Sequence, residues 1–265
     1  DKQSAQRRDR YYAATLEDMA RRDPERRAAL PADFRAQWDA EHPPGWIEHR
    51  LAWDPRFDPK GEMYRWTMAT RVAIQINELV FLHGGISSDY CGNTLESLTA
   101  KAHDALRRAD PNHRGILDAP RRPLWYRGMA GVAPATPVEE VDAILANRGA
   151  RHVVIGHTPT GGAIWPRLDG RVIMIDTGMS AAYGGPIAYL EITRDGLFAG
   201  YRGGRLPLPT DDAGRLDYLE KVIALHPDVA PLKQRRDALQ AGETDAPPVQ
   251  PADAIDGGAP PAPTC

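Results

Sequence analysis

The sequence predicts an α/β fold in which short apolar strands alternate with helices. Three stretches carry this prediction. In residues 72–76 isoleucine and valine alternate with other side chains, which is the two-residue period of a half-buried strand. Residues 136–155 read as a helix that leads into a run of β-branched residues, and residues 171–175 are a further short apolar strand. Together they indicate a sheet flanked by helices.

The composition of the chain and the positions of its prolines and loop-like stretches divide it into four segments. Asp23-Pro24 and Leu30-Pro31 are typical helix starts, because proline suits the first helical position. The remaining boundaries come from loop-like and Ala/Pro-rich stretches. We therefore expect a charged helical segment and loop over 1–60, an ordered core over 61–205, a polar helical segment over 206–240, and a disordered Ala/Pro-rich tail over 241–265.

The core begins with a hairpin. The strand of residues 72–76 precedes Asn77-Glu78, a plausible tight turn, and the apolar run 79–82 is the return strand. A helix is expected over 94–108. A second hairpin is expected around Asp195-Gly196.

One helix is marked clearly at both ends. We expect Thr136 to be its N-cap, Pro137 its first residue and Glu139 the partner in a capping box. Gly149 supplies the left-handed exit at the other end. The apolar strand in RHVVIGHTPT (151–160) follows.

Three strands end in the same way. One runs into His83, one into His157 and one into Asp176, each beside glycine or threonine. A rigid strand followed by a turn holds a side chain at a fixed point on the rim of a sheet. Neutral imidazole is a common ligand for zinc, iron and manganese. Two imidazoles do not complete a metal site, however, since catalytic zinc needs at least three protein ligands.

An arginine stands in an aromatic setting. Trp125 and Tyr126 precede Arg127, and glycine follows it. The guanidinium group is the preferred fork for phosphate or carboxylate. The alternative is a surface arginine stacked on tryptophan.

Composition limits the classes of partner. Hydrophobic residues make up 42% of the chain and charged residues 26%, as in ordinary globular proteins. The net charge of −3 gives no reason to expect nucleic acid or an anionic membrane as the main partner. No apolar run reaches the roughly 18 residues that a membrane-spanning helix requires. Oligomeric state and compartment, cytoplasm or periplasm, stay open.

Four segments, in this order and at this spacing, resemble a known family. They are FLHGGIS (81–87), PLWYRG (123–128), VVIGHTPT (153–160) and IDTGMSAAYGG (175–185). Together they resemble the second half of the calcineurin-like metallophosphoesterases, and most nearly the bacterial Shewanella-like phosphoprotein phosphatases. The resemblance covers residues 61–205.

The resemblance implies a fold and a cofactor. The fold would be the C-terminal part of a β-sandwich flanked by helices (αββα), carrying two metal ions about 3.5 Å apart at one sheet edge. The metals would be manganese, iron or zinc. His83 and His157 match the ligands of the second metal, and the glycines after His83 would clear space for it.

The same resemblance implies how substrate is held. Arg127 matches an arginine that binds the substrate phosphate, and Tyr183 matches a tyrosine close to that phosphate. Asp176 would orient a metal ligand. The implied reaction is hydrolysis of phosphoric monoesters, in phosphoproteins carrying phosphoserine, phosphothreonine or phosphotyrosine or in small phosphoesters.

The family's first-half motifs do not occur in this sequence. An Asp-x-His pair, a Gly-Asp-x-x-Asp-Arg run and a Gly-Asn-His-Glu run normally supply the other metal ligands and the catalytic acid. We therefore interpret the chain as the C-terminal part of a longer protein whose N-terminal part is missing, and expect it to be inactive alone. The alternatives are a binding module that has lost catalysis, or a mononuclear metal hydrolase that uses both histidines and a further carboxylate.

Overall fold

The computed structural model describes residues 2–43, 56, 60–108, 115–132 and 135–242. The expected tail over 241–265 lies outside these residues except for its first two positions. Most of the expected loop at 43–60 lies outside them as well. The chain divides between Thr70 and Arg71 into two compact units. No helix in the described ranges is long and apolar enough to cross a membrane.

The first unit is helical where it is described. Asp23 caps the second helix as predicted, because its side chain accepts a hydrogen bond from the Arg26 amide at 2.9 Å. The third helix begins at Phe34, slightly later than the proline at 31 suggests. The helices of this unit are α1 (Lys2–Arg22), α2 (Pro24–Ala28), α3 (Phe34–Glu41) and α4 (Glu62–Ala69).

The second unit contains a five-stranded mixed sheet. Its strands stand in the order β1-β2-β3-β5-β4, with the inner three parallel and the outer two antiparallel to their neighbours. The first hairpin has the predicted turn, and Asn77 there has a φ of +53°. The strands are β1 (Ala73–Ile76), β2 (Leu79–Leu82), β3 (His152–Ile155), β4 (Trp165–Arg167) and β5 (Val172–Met174).

Helices flank this sheet. The predicted helix at 94–108 is confirmed as α5 (Leu95–Arg108), which contacts β1. A short helix, α6 (Gly115–Asp118), precedes α7 (Val138–Ala146). Helix α7 buries Val141, Ile144 and Leu145 in the hydrophobic core. The inner strands are apolar because both faces of a parallel sheet are covered.

The start of α7 differs from the predicted capping box. Pro137 stands at the N-cap position, and no side chain caps the helix. Thr136 is instead buried, with its Oγ1 atom 2.7 Å from the Tyr126 hydroxyl oxygen. The threonine hydroxyl therefore serves a tertiary contact, so the prediction of a capping box was wrong. At the other end Gly149 has a φ of +57°, as predicted.

A second, three-stranded antiparallel sheet follows. It consists of β6 (Ala188–Thr193), β7 (Gly196–Tyr201) and β8 (Gly204–Pro207), with the predicted hairpin at 195–196. The segment expected as polar helix forms two helices, α8 (Arg215–Leu225) and α9 (Ala230–Gln240). Helix α8 is less polar than expected, since one face of it is buried. A central mixed sheet with flanking helices confirms the predicted α/β class.

Candidate metal and phosphate site

The three predicted strand ends come together at one edge of the central sheet. Strands β2, β3 and β5 are parallel neighbours, so their carboxyl ends share that edge. His83 directly follows β2, while His157 and Asp176 each stand two residues beyond β3 and β5. The sequence predicted that each of these residues follows a strand, and the structure places the three strand ends at one edge.

The two histidines are direct neighbours. Their ring centroids are 4.7 Å apart, with an angle of 55° between the ring planes. The amide of Gly156 donates to the His83 carbonyl oxygen at 2.9 Å, which ties the two strand ends together. His157 has a φ of +64°, in the left-handed region that residues other than glycine seldom adopt. The chain thus turns sharply at the residue that carries the second imidazole.

Three interactions together determine the pKa of His83. Removal of the ring from solvent lowers its pKa below the ordinary value, the negative charge of Asp176 raises it, and the positive charge of Arg127 lowers it further. The ring still has substantial surface exposure. The net lowering favours the neutral imidazole, which is the form that binds metal. The same interactions show that Arg127 and Asp176 both act electrostatically on this ring.

The glycines after His83 allow a protein loop to approach closely. The amides of Gly84 and Gly85 donate to the carbonyl oxygen of Pro123 at 2.9 and 3.1 Å. A Cβ atom at Gly84 would lie only 2.8 Å from that oxygen, and one at Gly85 would lie 3.1 Å from the Tyr126 ring. Glycine at these positions is therefore required by the close approach of a protein loop, and the expectation that they also clear space for a metal stays a prediction.

That loop carries Arg127. We call residues 123–132 the arginine loop. Trp125 lies at its exposed side, with its ring edge-on to His157 at 5.1 Å between centroids and its indole N–H donating to the Leu117 carbonyl oxygen at 2.7 Å. Tyr126 is buried, so its ring belongs to the core and does not flank Arg127 at the surface. The loop thus places an indole ring against His157 and a cation whose charge lowers the pKa of His83.

The loop after β5 carries the remaining two predicted residues. One carboxylate oxygen of Asp176 accepts a hydrogen bond from the Gly178 amide at 3.0 Å, and its carbonyl oxygen accepts from the Thr160 amide at 2.7 Å. Tyr183 lies further along, with 57% of its surface exposed, and its Cβ packs where a Cβ of Gly178 would be. Asp176 thus orders its own loop as well as acting on His83.

The donor set fits part of a metal site. Among the residues that the structure describes, no group of three or more His, Cys, Asp or Glu side chains could hold a metal ion. Two adjacent imidazoles are suitable nitrogen ligands, and the pKa of His83 is shifted in the direction that metal binding needs. His83 and His157 could therefore supply two ligands, and the others would come from elsewhere.

Residues to which the sequence analysis gave no role in the site support the arginine loop. The Thr136 hydroxyl contacts Tyr126, and Arg167 on β4 donates to the Met129 carbonyl oxygen at 2.7 Å. Their only signal in the sequence is the density of glycine at 128 and 131. A glycine in the sequence indicates that another group packs closely against the backbone, but it does not indicate which side chain that is.

Comparison with known proteins finds partial similarities. No family model matches the chain. An uncharacterized protein of Schizosaccharomyces pombe is 31% identical over 119 residues, which are 43% of this chain and 36% of that protein. The chain therefore spans little more than a third of the length of this curated relative.

Two solved structures illustrate the similarity in three dimensions. The cold-active protein-tyrosine phosphatase of a psychrophilic Shewanella species is 23% identical, with a TM-score of 0.49, over 68% of this chain and 53% of that chain. Another structure of a cold-active protein tyrosine phosphatase is 24% identical with the same TM-score, over 65% and 49%. At this level of agreement the likeness carries no argument about this chain's activity.

Proposed function

We propose that this chain is part of a metal-dependent phosphatase that hydrolyses phosphoric monoesters. The chain would contribute two ligands of a two-metal centre, His83 and His157, together with the groups that hold the phosphate. The metals would be manganese, iron or zinc. The substrate would be a phosphoprotein or a small phosphoester.

One observation carries the proposal. Two imidazoles stand 4.7 Å apart at the ends of adjacent parallel strands, and a guanidinium acts electrostatically on one of them. A cation whose charge acts on a potential metal ligand has no role in binding the metal itself, because like charges repel. It suits an anion that would be bound next to the metal, and a phosphate group is such an anion.

Each of the other site residues has a separate role in this proposal. Arg127 would bind two phosphate oxygens through its planar fork, and Tyr183 would donate to a third. Asp176 would keep its loop in place and hold the charge balance around His83. Bound metal ions would supply Lewis-acid polarisation of the phosphate. The proton donor for the leaving group is assigned to no residue of this chain.

Metal binding and catalysis can be tested together. We would express the 265-residue chain, and also the product of the whole reading frame that contains it, and measure metal content and p-nitrophenyl phosphate turnover. The 265-residue chain is expected to turn over no substrate, because two imidazoles leave any metal short of ligands. Turnover by this chain that His157→Gly abolishes would show that it completes its own metal site.

The longer product allows the ligands to be tested one at a time. His83→Ala and His157→Gly should each reduce bound metal and lower kcat/KM at least ~100-fold, since even groups that only orient a ligand cost 10–100-fold. Glycine is chosen at 157 because alanine would be strained at that positive φ. His152→Ala is the matched control, because this histidine stands at the opposite end of β3 and bonds to the Gly170 carbonyl oxygen. Unchanged metal content in both site variants would remove the pair from the metal centre.

The two alternatives give different results in the same assays. A binding module would bind phosphorylated ligands without turnover in either product. A mononuclear hydrolase would need a third ligand within this chain, and none is present among the described residues. Stoichiometric binding of one metal by the 265-residue chain, with turnover, would favour it.

A further inference from the structure

The arginine loop is held more firmly than a surface loop usually is. Its first residues are bound to the end of β2 through the Pro123 carbonyl oxygen. Two further contacts hold its second half, one from Thr136, two residues before α7, and one from Arg167 on β4. Loops at functional sites are generally among the more mobile parts of a protein. The number of independent attachments here calls for an explanation.

The first attachment is the pair Tyr126 and Thr136. Their hydroxyl oxygens are 2.7 Å apart in a buried position, and the Thr136 amide donates to the Gly128 carbonyl oxygen at 3.0 Å. Gly128 lies between them, and a Cβ atom there would come within 2.8 Å of the Thr136 hydroxyl oxygen. Burial raises the pKa of Tyr126, so its hydroxyl stays protonated and able to donate at neutral pH.

The second attachment is Arg167. It donates to the Met129 carbonyl oxygen, and its guanidinium fills the space that a Cβ at Gly131 would need. Within the loop, the carbonyl oxygen of Arg127 accepts from the amides of Ala130 and Val132 at 3.0 and 3.2 Å. These hydrogen bonds fix the backbone on either side of Arg127. The Arg127 side chain therefore extends from an ordered turn.

We propose that the buried Tyr126–Thr136 hydrogen bond is a positioning device for Arg127, which holds the guanidinium in place to receive a phosphate oxyanion. This inference rests on the proposed function, because it takes Arg127 to be the phosphate-binding group. Arginine loses considerable rotamer freedom when it binds a ligand. A backbone that is already ordered reduces the remaining entropy cost and so strengthens binding. Tyr126 and Thr136 are positioning residues, since neither hydroxyl reaches the substrate.

The test uses the 265-residue chain and inorganic phosphate as the probe. In metal-free buffer the phosphate titration is followed in every variant by the NMR resonance of the Gly128 backbone amide. Where arginine is present it is also followed by the Arg127 side-chain N–H, identified by its absence in Arg127→Lys. Thr136→Val keeps the shape of the side chain and removes the hydroxyl. Thr136→Ser keeps the hydroxyl. Tyr126→Phe breaks the same bond from the other side, so a folding defect in one variant leaves the other for the test.

We expect the phosphate dissociation constant to rise about 10-fold in Thr136→Val and Tyr126→Phe, a loss typical of groups that orient a binding residue. Thr136→Ser should stay within about 2-fold of the wild type. The Arg127 side-chain resonance should also show faster motion in the two impaired variants. Thr99→Val is the matched control, because the Thr99 hydroxyl on α5 accepts a hydrogen bond from the Val72 amide, and its removal should leave phosphate binding unchanged.

The outcomes separate this inference from the proposed function. Normal phosphate binding in both Thr136→Val and Tyr126→Phe, with weaker binding in Arg127→Lys, would overturn the positioning role alone. Equal binding by the wild type and Arg127→Lys, or no phosphate response of the wild-type resonance, would remove Arg127 from phosphate binding and the positioning role with it. Loss in Thr136→Ser as large as in Thr136→Val would also overturn it, because the hydroxyl would then not be the cause.

Discussion

Gly84 shows how the lack of one side-chain carbon determines where a functional loop can lie. Its backbone binds the Pro123 carbonyl oxygen, and the loop approaches so closely that any Cβ would be 2.8 Å from that oxygen and 2.9 Å from the Leu124 carbonyl carbon. Both obstacles are backbone atoms, which cannot move aside as the end of a flexible side chain can. The glycine is therefore a requirement of the contact between the segment that follows β2 and the arginine loop.

Replacement of this glycine should be costly. Gly84→Ala is expected to lower the free energy of unfolding by about 1–3 kcal/mol, the usual cost of overpacking a tight contact. Urea unfolding followed by circular dichroism measures it. Gly92→Ala is the matched control, since a Cβ at Gly92 would meet nothing within 4 Å, and a change within about 0.5 kcal/mol is expected. Equal losses in both variants would contradict the close approach.

The residues of the site were only partly predictable from the sequence. His83, His157 and Asp176 could each be placed at the end of a strand, because strand periodicity and a following turn are local signals. The role of Gly84 could not be predicted, because a glycine in a sequence shows that a close approach is possible but not which atom approaches. The buried pairing of Thr136 was missed for a related reason. Threonine before proline has a strong local interpretation as a cap, and a tertiary partner overrode it.

Individual elements are joined by a buried pair of tyrosines. Tyr201, at the end of β7, accepts a hydrogen bond from the Ile164 amide at 2.9 Å, and its oxygen is 2.7 Å from the Tyr218 hydroxyl of α8. Tyr218 in turn donates to the Ile164 carbonyl oxygen at 2.8 Å. Burial raises the pKa of Tyr201 to about 12, so it is neutral in the folded protein at ordinary pH. The second sheet, α8 and the approach to β4 thereby meet at one point.

Loss of this hydroxyl should weaken the link between the elements. Tyr201→Phe leaves the buried Ile164 amide without its acceptor, and we expect the free energy of unfolding to fall by about 1–3 kcal/mol. Tyr189→Phe, at an exposed position on β6, should change it by less than about 0.5 kcal/mol. Thermal unfolding of the two variants beside the wild type measures the difference. A smaller loss for Tyr201→Phe than for Tyr189→Phe would be inconsistent with the network.

At the scale of elements the sequence was most informative where the pattern is local. The hairpin at Asn77-Glu78, helix α5 and the hairpin at Asp195-Gly196 follow from periodicity and turn residues. The burial of α8 could not be foreseen from polar composition, because it depends on the aromatic neighbours that the second sheet brings to it. The order of the strands likewise depends on contacts between residues far apart in the sequence.

For the whole molecule, titration of His226 links stability to pH. This residue caps the end of α8, its ring lies 5.5 Å from the Tyr201 ring, and burial lowers its pKa below the ordinary value of 6.5. The unfolded chain therefore binds a proton more readily than the folded one. It follows that the stabilising contribution is complete above about pH 6.5 and is lost as the pH falls through the lower pKa of the folded state.

The prediction is a flatter pH profile in a variant that cannot titrate. His226→Gln should lose less stability than the wild type between pH 7 and pH 5, measured by urea midpoints at each pH. A residual slope is expected from His83, whose pKa is shifted in the same direction. Identical slopes in the two proteins would show that His226 has the same proton affinity in the folded and unfolded states.

The outer edge of the central sheet has a consequence for behaviour in concentrated solution. Among the described residues β1 pairs only with β2, and its Ile74 and Ile76 side chains are 40% and 50% exposed. Backbone amides and carbonyls along such an edge are able to bond to a second strand of any origin. Copies of this chain would therefore associate through this edge. Aggregation would increase with protein concentration even while the protein stays folded.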